Sequence, residues 1–207
     1  MSDLIKKPLK VFAVNGSPRY RGNTHWMIET MFDVFKDKNI KTESIQIGKK
    51  ITQGCLDCRS CYKTEKCVIE DDCVNECYQK IKESDGVIIA SPVYVAGPSG
   101  QIKTFIDRVG IIAALNRDEK GHSPFYHKVG ASIAVNRRGG AAGTFSQLNY
   151  FFTPLGFIIP GSTYWNLTVG YNKGDSKEDK EGKINIIDVA EEMSWLMNLI
   201  RQDKEKK

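Results

Sequence analysis

Residues 10–24 read KVFAVNGSPRYRGNT, and the change of pattern inside this stretch decides the fold. Lys10 to Asn15 is short, apolar and partly β-branched, the composition of a strand buried on both faces. Gly16-Ser17-Pro18 then marks a turn. Beyond it Trp26, Met27, Met31, Val34 and Phe35 recur at helical spacing, which predicts a helix over residues 23–38. A buried strand leading straight into an amphipathic helix opens a βαβ unit, and such units build parallel sheets.

The same alternation continues outward. Residues 42–47 (TESIQI) read as a strand at one side of the sheet, residues 86–90 (GVIIA) and 129–135 (VGASIAV) as buried strands, and residues 157–160 (FIIP) as a last, shorter one. Helices are expected near residues 72–83, 100–108 and 144–153. A final helix is expected over residues 186–203, where Val189, Met193, Leu196, Met197 and Ile200 share a face. Residues 114–128 and 166–183 are polar or rich in Gly, Asn and Asp and are expected to lack regular structure. Loops this long tend to be functional, here covering a ligand or arming a subunit interface. With no repeat and no linker, residues 1–207 read as one α/β domain with a cysteine-rich loop at 54–73 and a frayed tail at 203–207.

Charge and hydropathy exclude several classes. The net charge of +5, from 30 basic and 25 acidic residues, is mild and partly sits in the terminal Lys204-Glu205-Lys206-Lys207, so no nucleic-acid partner is inferred. No stretch approaches the ~20 apolar residues of a membrane span. Residues 1–10 mix charge with Pro8 and lack the apolar core of a signal peptide. The expected location is the cytoplasm, where thiols stay reduced.

That location matters for Cys55, Cys58, Cys61 and Cys67, which fall within thirteen residues as C-x2-C-x2-C-x5-C. Three thiols at this spacing let one loop fold around a single centre, and the fourth lies close enough to complete it. Thiolate-only ligation of this kind suits an iron–sulfur cluster. Structural zinc more often uses two knuckles with a longer gap between them. A zinc loop and metal-free thiols remain the other readings.

The turn after the first strand has the chemistry of an anion site. A loop opening a helix offers unpaired N–H groups and a partial positive charge. Ser17, Arg19, Arg21, Gly22, Asn23 and Thr24 add donors or close backbone approach, although Asn23 and Thr24 also suit an ordinary helix cap. The loop is neither G-x-G-x-x-G nor a P-loop, which favours a mononucleotide phosphate. A second loop supplies Pro92, Val93, Tyr94, Val95 and Gly97, with Tyr94 as a flat surface. A third supplies Asn136, Arg137, Arg138, Gly139 and Gly140, whose two cations suit a reduced, anionic ring. One phosphate and a planar heterocycle across three loops fit FMN.

These residues resemble the flavodoxin-like NADPH-dependent FMN reductase superfamily, and within it the iron–sulfur flavoproteins. The resemblance rests on GSPR-x-x-GNT at residues 16–24, the cysteine run followed by V-I-x-D-D at 68–72, SPVY at 91–94 and QIKTFIDR at 101–108. It implies a doubly wound, five-stranded parallel sheet of order 2-1-3-4-5 in three α/β/α layers. It further implies FMN, a [4Fe-4S] cluster on Cys55, Cys58, Cys61 and Cys67, and a homo-oligomer, dimer or tetramer, with a cluster near a neighbour's flavin. The chain departs from the pattern at GGAAG (residues 139–143), which lacks the Gln-Glu often found there. It departs again at Cys73 and Cys77, which share a helix face and read as small buried hydrophobes.

Other polar groups read more plainly. His25, His122 and His127 show no metal or triad spacing. Glu70, Asp71 and Asp72 favour the positive end of the helix that follows, and their charge would also tune a cluster. No nucleophile–base pair stands out, as expected where a cofactor carries the chemistry. The leading expectation is an oxidoreductase passing electrons between FMN and a [4Fe-4S] cluster, with ferredoxin or NAD(P)H as redox partner. The alternatives are an NAD(P)H-dependent FMN or quinone reductase without a cluster, and a zinc-loop binding module.

Overall fold

Strand β1 (Lys10–Asn15) pairs in parallel on both sides, with the strands that follow it as second and third in the chain. The structure is a computed structural model and describes residues 7–51 and 53–206. After β1 come α1 (Asn23–Asp37), β2 (Lys41–Gln46), α2 (Val74–Glu83) and β3 (Gly86–Tyr94). The two-residue β4 (Gly97–Pro98), α3 (Gly100–Leu115), β5 (Val129–Asn136) and α4 (Ala141–Phe152) follow, and β6 (Leu167–Val169) and α5 (Lys180–Glu205) end the chain. The parallel path is β2-β1-β3-β5-β6, with β4 folded back antiparallel on the end of β3. Setting β4 aside, this is the expected doubly wound order.

Side chains alternate along each strand, so the sheet feeds two cores. Val11 and Ala13 join Met27, Met31 and Phe35 of α1 and Val189, Met193 and Met197 of α5 on one face. Phe12 and Val14 join residues of α2, α3 and α4 on the other, including Tyr78, Phe105 and Phe152. The result is the three-layer α/β/α arrangement.

Several boundaries differ from the sequence expectation, among them that of β3, which runs on past Ala90 so that Pro92, Val93 and Tyr94, read as loop, end the strand. Residues 157–160 make only a single bridge, Val129 to Ile158, and the fifth strand of the path is instead β6. FIIP is apolar because Phe157 packs against Phe151 and Phe152, not because it forms a ladder. β6 has three residues among Gly and Asn, too short for its alternation to show. Helix α3 continues past Arg108 to Leu115, and α4 begins at Ala141, directly after Gly140 at φ 83°. Helix α5 starts at Lys180, where Asp179 Oδ1 accepts the Gly182 N–H (3.0 Å), and runs to Glu205 through part of the tail read as frayed. No helix among the described residues is long and apolar enough to cross a membrane.

One half-buried lysine makes this fold pH-sensitive. Lys128 Nζ donates to the carbonyls of Lys82 (2.8 Å) and Ser84. Burial pushes its ammonium down from 10.5 to about 8; Asp85 opposes this, while Lys204 and Lys82 add to it. A base whose folded value lies below its unfolded one weakens the fold while charged, and the loss is relieved as pH rises through that interval. Urea midpoints are therefore expected to rise between about pH 8 and about pH 10.5. The rise should be smaller in Lys128→Met; equal slopes in the two proteins would contradict the assignment.

Candidate functional site

The loop after β1 is wound by its own side chains. Ser17 N–H donates to Asn15 Oδ1 (2.9 Å), Arg19 N–H to Ser17 Oγ (3.2 Å) and Gly22 N–H to Arg19 O (3.1 Å). Gln46 Nε2, at the end of β2, supports it from the side by donating to the carbonyls of Ser17 (2.6 Å) and Arg19 (3.1 Å). Gly48 lies so close that a Cβ there would sit 2.2 Å from Ser17 O. Helix α1 then begins without a side-chain cap and without an acidic residue in its first turn, unlike α3 and α5, which Ser99 and Asp179 cap. Its first N–H groups are thus left for an anion. Ser17 and Thr24 are buried beside them.

Asn23 and Arg19 do something the sequence did not reveal. Asn23 Nδ2 donates to Asn172 O (2.8 Å), and its Oδ1 accepts the N–H of Gly174 (2.8 Å). Arg19 Nη1 donates to Tyr171 O (2.9 Å). The Arg137 guanidinium lies 4.2 Å over the Tyr171 ring, and Lys177 Nζ lies 3.4 Å over Trp26. Residues 170–177 therefore form a strap fastened to the loop after β1 of their own chain. Arg21, exposed, faces Trp26 at 5.6 Å.

The second and third loops meet this one. Gly16 N–H donates to Ala90 O (2.8 Å), and Ser99 Oγ donates to Gly16 O (3.0 Å), tying the β1 loop to the middle of β3 and to the residue after β4. Pro92 and Val93 are half-buried and lead to exposed Tyr94. Val95 and Ala96 form the hairpin tip at φ 49° and 59°, ahead of Gly97. Tight hairpins require left-handed residues at both central positions, but a β-branched residue there is strained. Gly140 packs on this tip, since a Cβ would lie 2.8 Å from Ala96 Cα. In the amide orientation that satisfies its neighbours, Asn136 donates to Thr168 O (2.9 Å) and accepts from Gly139 N–H (3.1 Å). Arg138 is exposed. The three loops thus lie side by side as a rim along one edge of the sheet.

The cysteine loop lies on the α2–α3 side. Cys55, Cys58, Cys61 and Cys67 line one pocket together with Leu56, Val68, Ile69, Arg108, Ile111 and Ile112. Cys55 and Cys58 are exposed, Cys67 is half-buried and Cys61 is buried. Asn75 of α2 holds Cys67 at both backbone groups (2.8 and 3.0 Å), and Asn116 donates to Cys61 O (2.8 Å) while accepting from Lys63 N–H (2.6 Å). Asp57, Arg59, Lys63 and Glu65 all have positive φ, turning the loop tightly without glycine. Burial pushes the Cys61 thiol up, and neighbouring Cys67, Cys55 and Cys58 add to it. Hydrogen bonds from Ser60 pull Cys58 down. Among the described residues no three His, Cys, Asp or Glu side chains converge as a site for a single metal ion. Cys73 and Cys77 are buried and hydrogen-bonded to each other, which raises Cys77 and lowers Cys73. They sit in the core, as the pattern of small buried hydrophobes implied.

Comparison with known proteins adds identity to this geometry. The model of the family described as NADPH-dependent FMN reductase matches residues 9–172. An iron-sulfur flavoprotein of Methanocaldococcus jannaschii is 32% identical over 201 residues, covering 94% of this chain and 100% of that protein. An iron-sulfur flavoprotein of Methanosarcina thermophila is 28% identical over 200 residues, covering 96% and 100%. Among solved structures, RosB with bound 8-demethyl-8-formylriboflavin-5'-phosphate aligns at TM-score 0.75 and 21% identity, covering 94% of this chain and 81% of that one. A flavodoxin from the domain Archaea aligns at TM-score 0.56 and 17% identity, covering 89% and 99%. At these identities the structural matches speak to the fold, which is flavodoxin-like.

Gly48 gives the most direct test of the rim. Gly48→Ala forces the Ser17 carbonyl aside without touching either core, so FMN affinity is expected to fall about tenfold or more, the scale of one lost charge-assisted hydrogen bond. Fluorescence titration of the apoprotein checks this; unchanged affinity would show that the loop does not hold the phosphate.

Proposed function

We propose that this chain, which belongs to the NADPH-dependent FMN reductase family and within it to the iron–sulfur flavoproteins, passes electrons between FMN and a [4Fe-4S] cluster on Cys55, Cys58, Cys61 and Cys67. The protein is a flavin-dependent oxidoreductase and FMN is its cofactor. The observation that carries the cluster is the set of four thiols lining one pocket in a loop fixed from α2 and α3. When bound, the flavin handles electrons in pairs and the cluster singly.

The residues divide that work. The first N–H groups of α1, with Ser17 and Thr24, suit the FMN phosphate, and Gln46 and Gly48 keep their loop in shape. Tyr94 and the strained Val95–Ala96 tip offer backbone and a flat ring toward a planar heterocycle. Arg137 and Arg138 place positive charge at the same rim, favouring an anionic reduced ring. In the cysteine loop, Leu56, Val68, Ile111 and Ile112 give the thiol pocket an apolar wall, buried at Ile112 and open to water at the other three.

A cluster-free NAD(P)H-dependent FMN or quinone reductase is the second reading, favoured by the absence of a single-ion site among the described residues and by exposed Cys55 and Cys58. Iron separates the two. Protein purified without oxygen is expected to carry iron and acid-labile sulfide in cluster ratio beside FMN. Alanine at any of the four cysteines should abolish them, while Cys73→Ala and Cys77→Ala should not. Full flavin with no iron would establish the second reading.

Assembly belongs to the same proposal. A groove of ≈ 620 Å³ between α3 and α4 is lined by Cys55, Ile106, Ile111, Tyr150 and Phe151. Ile111 and Tyr150 are exposed there, at 36% and 69%. Cys55 lines both this groove and the thiol pocket, so pairing two copies across it brings each cysteine loop toward the other subunit. Closed two-fold symmetry makes a dimer or tetramer the natural product. We further propose ferredoxin or NAD(P)H as the redox partner. Light scattering should give a dimer or tetramer that Tyr150→Glu weakens; a wild-type monomer would contradict the interface.

A further inference from the structure

Arg108, on α3, is among the largest fully buried side chains, with 1% of its side chain exposed. A buried guanidinium is costly unless its donors are met, and here both Nη groups are engaged while the buried Nε–H has no partner. Nη1 donates to Gln53 O (3.3 Å) and to the Asp72 carboxylate. Nη2 donates to Ile69 O (3.1 Å), to Asp72 Oδ1 (3.3 Å) and to Cys67 Sγ (3.3 Å). Gln53 and Ile69 lie on either side of the four cysteines, so one side chain ties both ends of the loop together. A neutral thiol is a weak acceptor, whereas a charged donor aimed at sulfur suits a thiolate ligand.

From this we infer that Arg108 is a positioning residue for the cysteine loop, closing its two ends and donating to the Cys67 sulfur so as to raise the reduction potential of the centre held there. The inference rests on the cluster reading given above. Hydrogen bonds to ligand sulfur stabilise the more negative, reduced state. Asp72, 4% exposed, opposes this with its own charge while fixing the guanidinium and accepting the Val74 N–H (3.0 Å) at the start of α2.

The test is the cluster's midpoint potential in anaerobic holoprotein, with iron, sulfide and thermal unfolding measured alongside. The double variant Arg108→Gln/Asp72→Asn removes the buried pair as a neutral unit. Its reduced cluster is expected to be disfavoured about tenfold, a fall of about 59 mV for one electron. Asp72→Asn alone keeps the bond to sulfur, removes the opposing charge and is expected to shift the potential upward. A loaded double variant at the wild-type potential overturns the inference, even if it unfolds earlier, because a purely structural arginine would give that result. Should the double variant fail to fold or load, Asp72→Asn decides: a rise supports the inference, and an unchanged or lower potential overturns it. Wild-type protein with FMN but no iron or sulfide overturns the cluster reading, and this inference with it.

Discussion

Every strand on the path β2-β1-β3-β5-β6 runs the same way, and the rest of the molecule depends on that constraint. A parallel sheet cannot be closed by hairpins, so each strand must return through a crossover, and helices end up on both faces. Each strand also delivers its following loop to one edge. The β1, β3 and β5 loops meet there because Gly16 bonds Ala90, Ser99 bonds Gly16 and Gly140 packs on Ala96. The cysteine loop leaves from the end of β2, one strand to the side, and is caught between α2 and α3 instead.

Conformational strain marks the same places. Among the described residues nine non-glycine positions have positive φ, and seven of them lie in the rim loops or the cysteine loop: Arg21, Val95 and Ala96 in the first, Asp57, Arg59, Lys63 and Glu65 in the second. Such residues cost on the order of 1 kcal/mol or more each and persist only where surroundings over-determine them. Here the surroundings can be named. Gln46 and Gly48 hold the loop after β1, Gly140 seats the hairpin tip, and Asn75, Asn116 and Arg108 hold the cysteine loop.

What was legible in the sequence was local. Strand β1, the turn after it and α1 follow from periodicity and turn chemistry within residues 10–37, and the four cysteines announce themselves by spacing. What was hidden depends on partners far apart in the chain. Asn23 looks like a phosphate donor or a helix cap, yet its carboxamide is engaged with residues 172 and 174. Residues 166–183 looked irregular, but they contain β6 and the strap. Gln46 looked like one polar strand residue among several, and Arg108 like the last residue of an ordinary helix. Their burial and aim appear only when α3 is laid beside the cysteine loop. The link to iron–sulfur flavoproteins then unites the local motif with its distant support.

The central claim is that the supported cysteine loop holds a one-electron centre alongside the flavin. Low-temperature EPR of anaerobically purified, dithionite-reduced protein tests it most directly. The account predicts a fast-relaxing signal of a reduced [4Fe-4S] cluster, integrating to about one spin per bound FMN. Protein with full FMN that gives no iron–sulfur signal at any potential would contradict it.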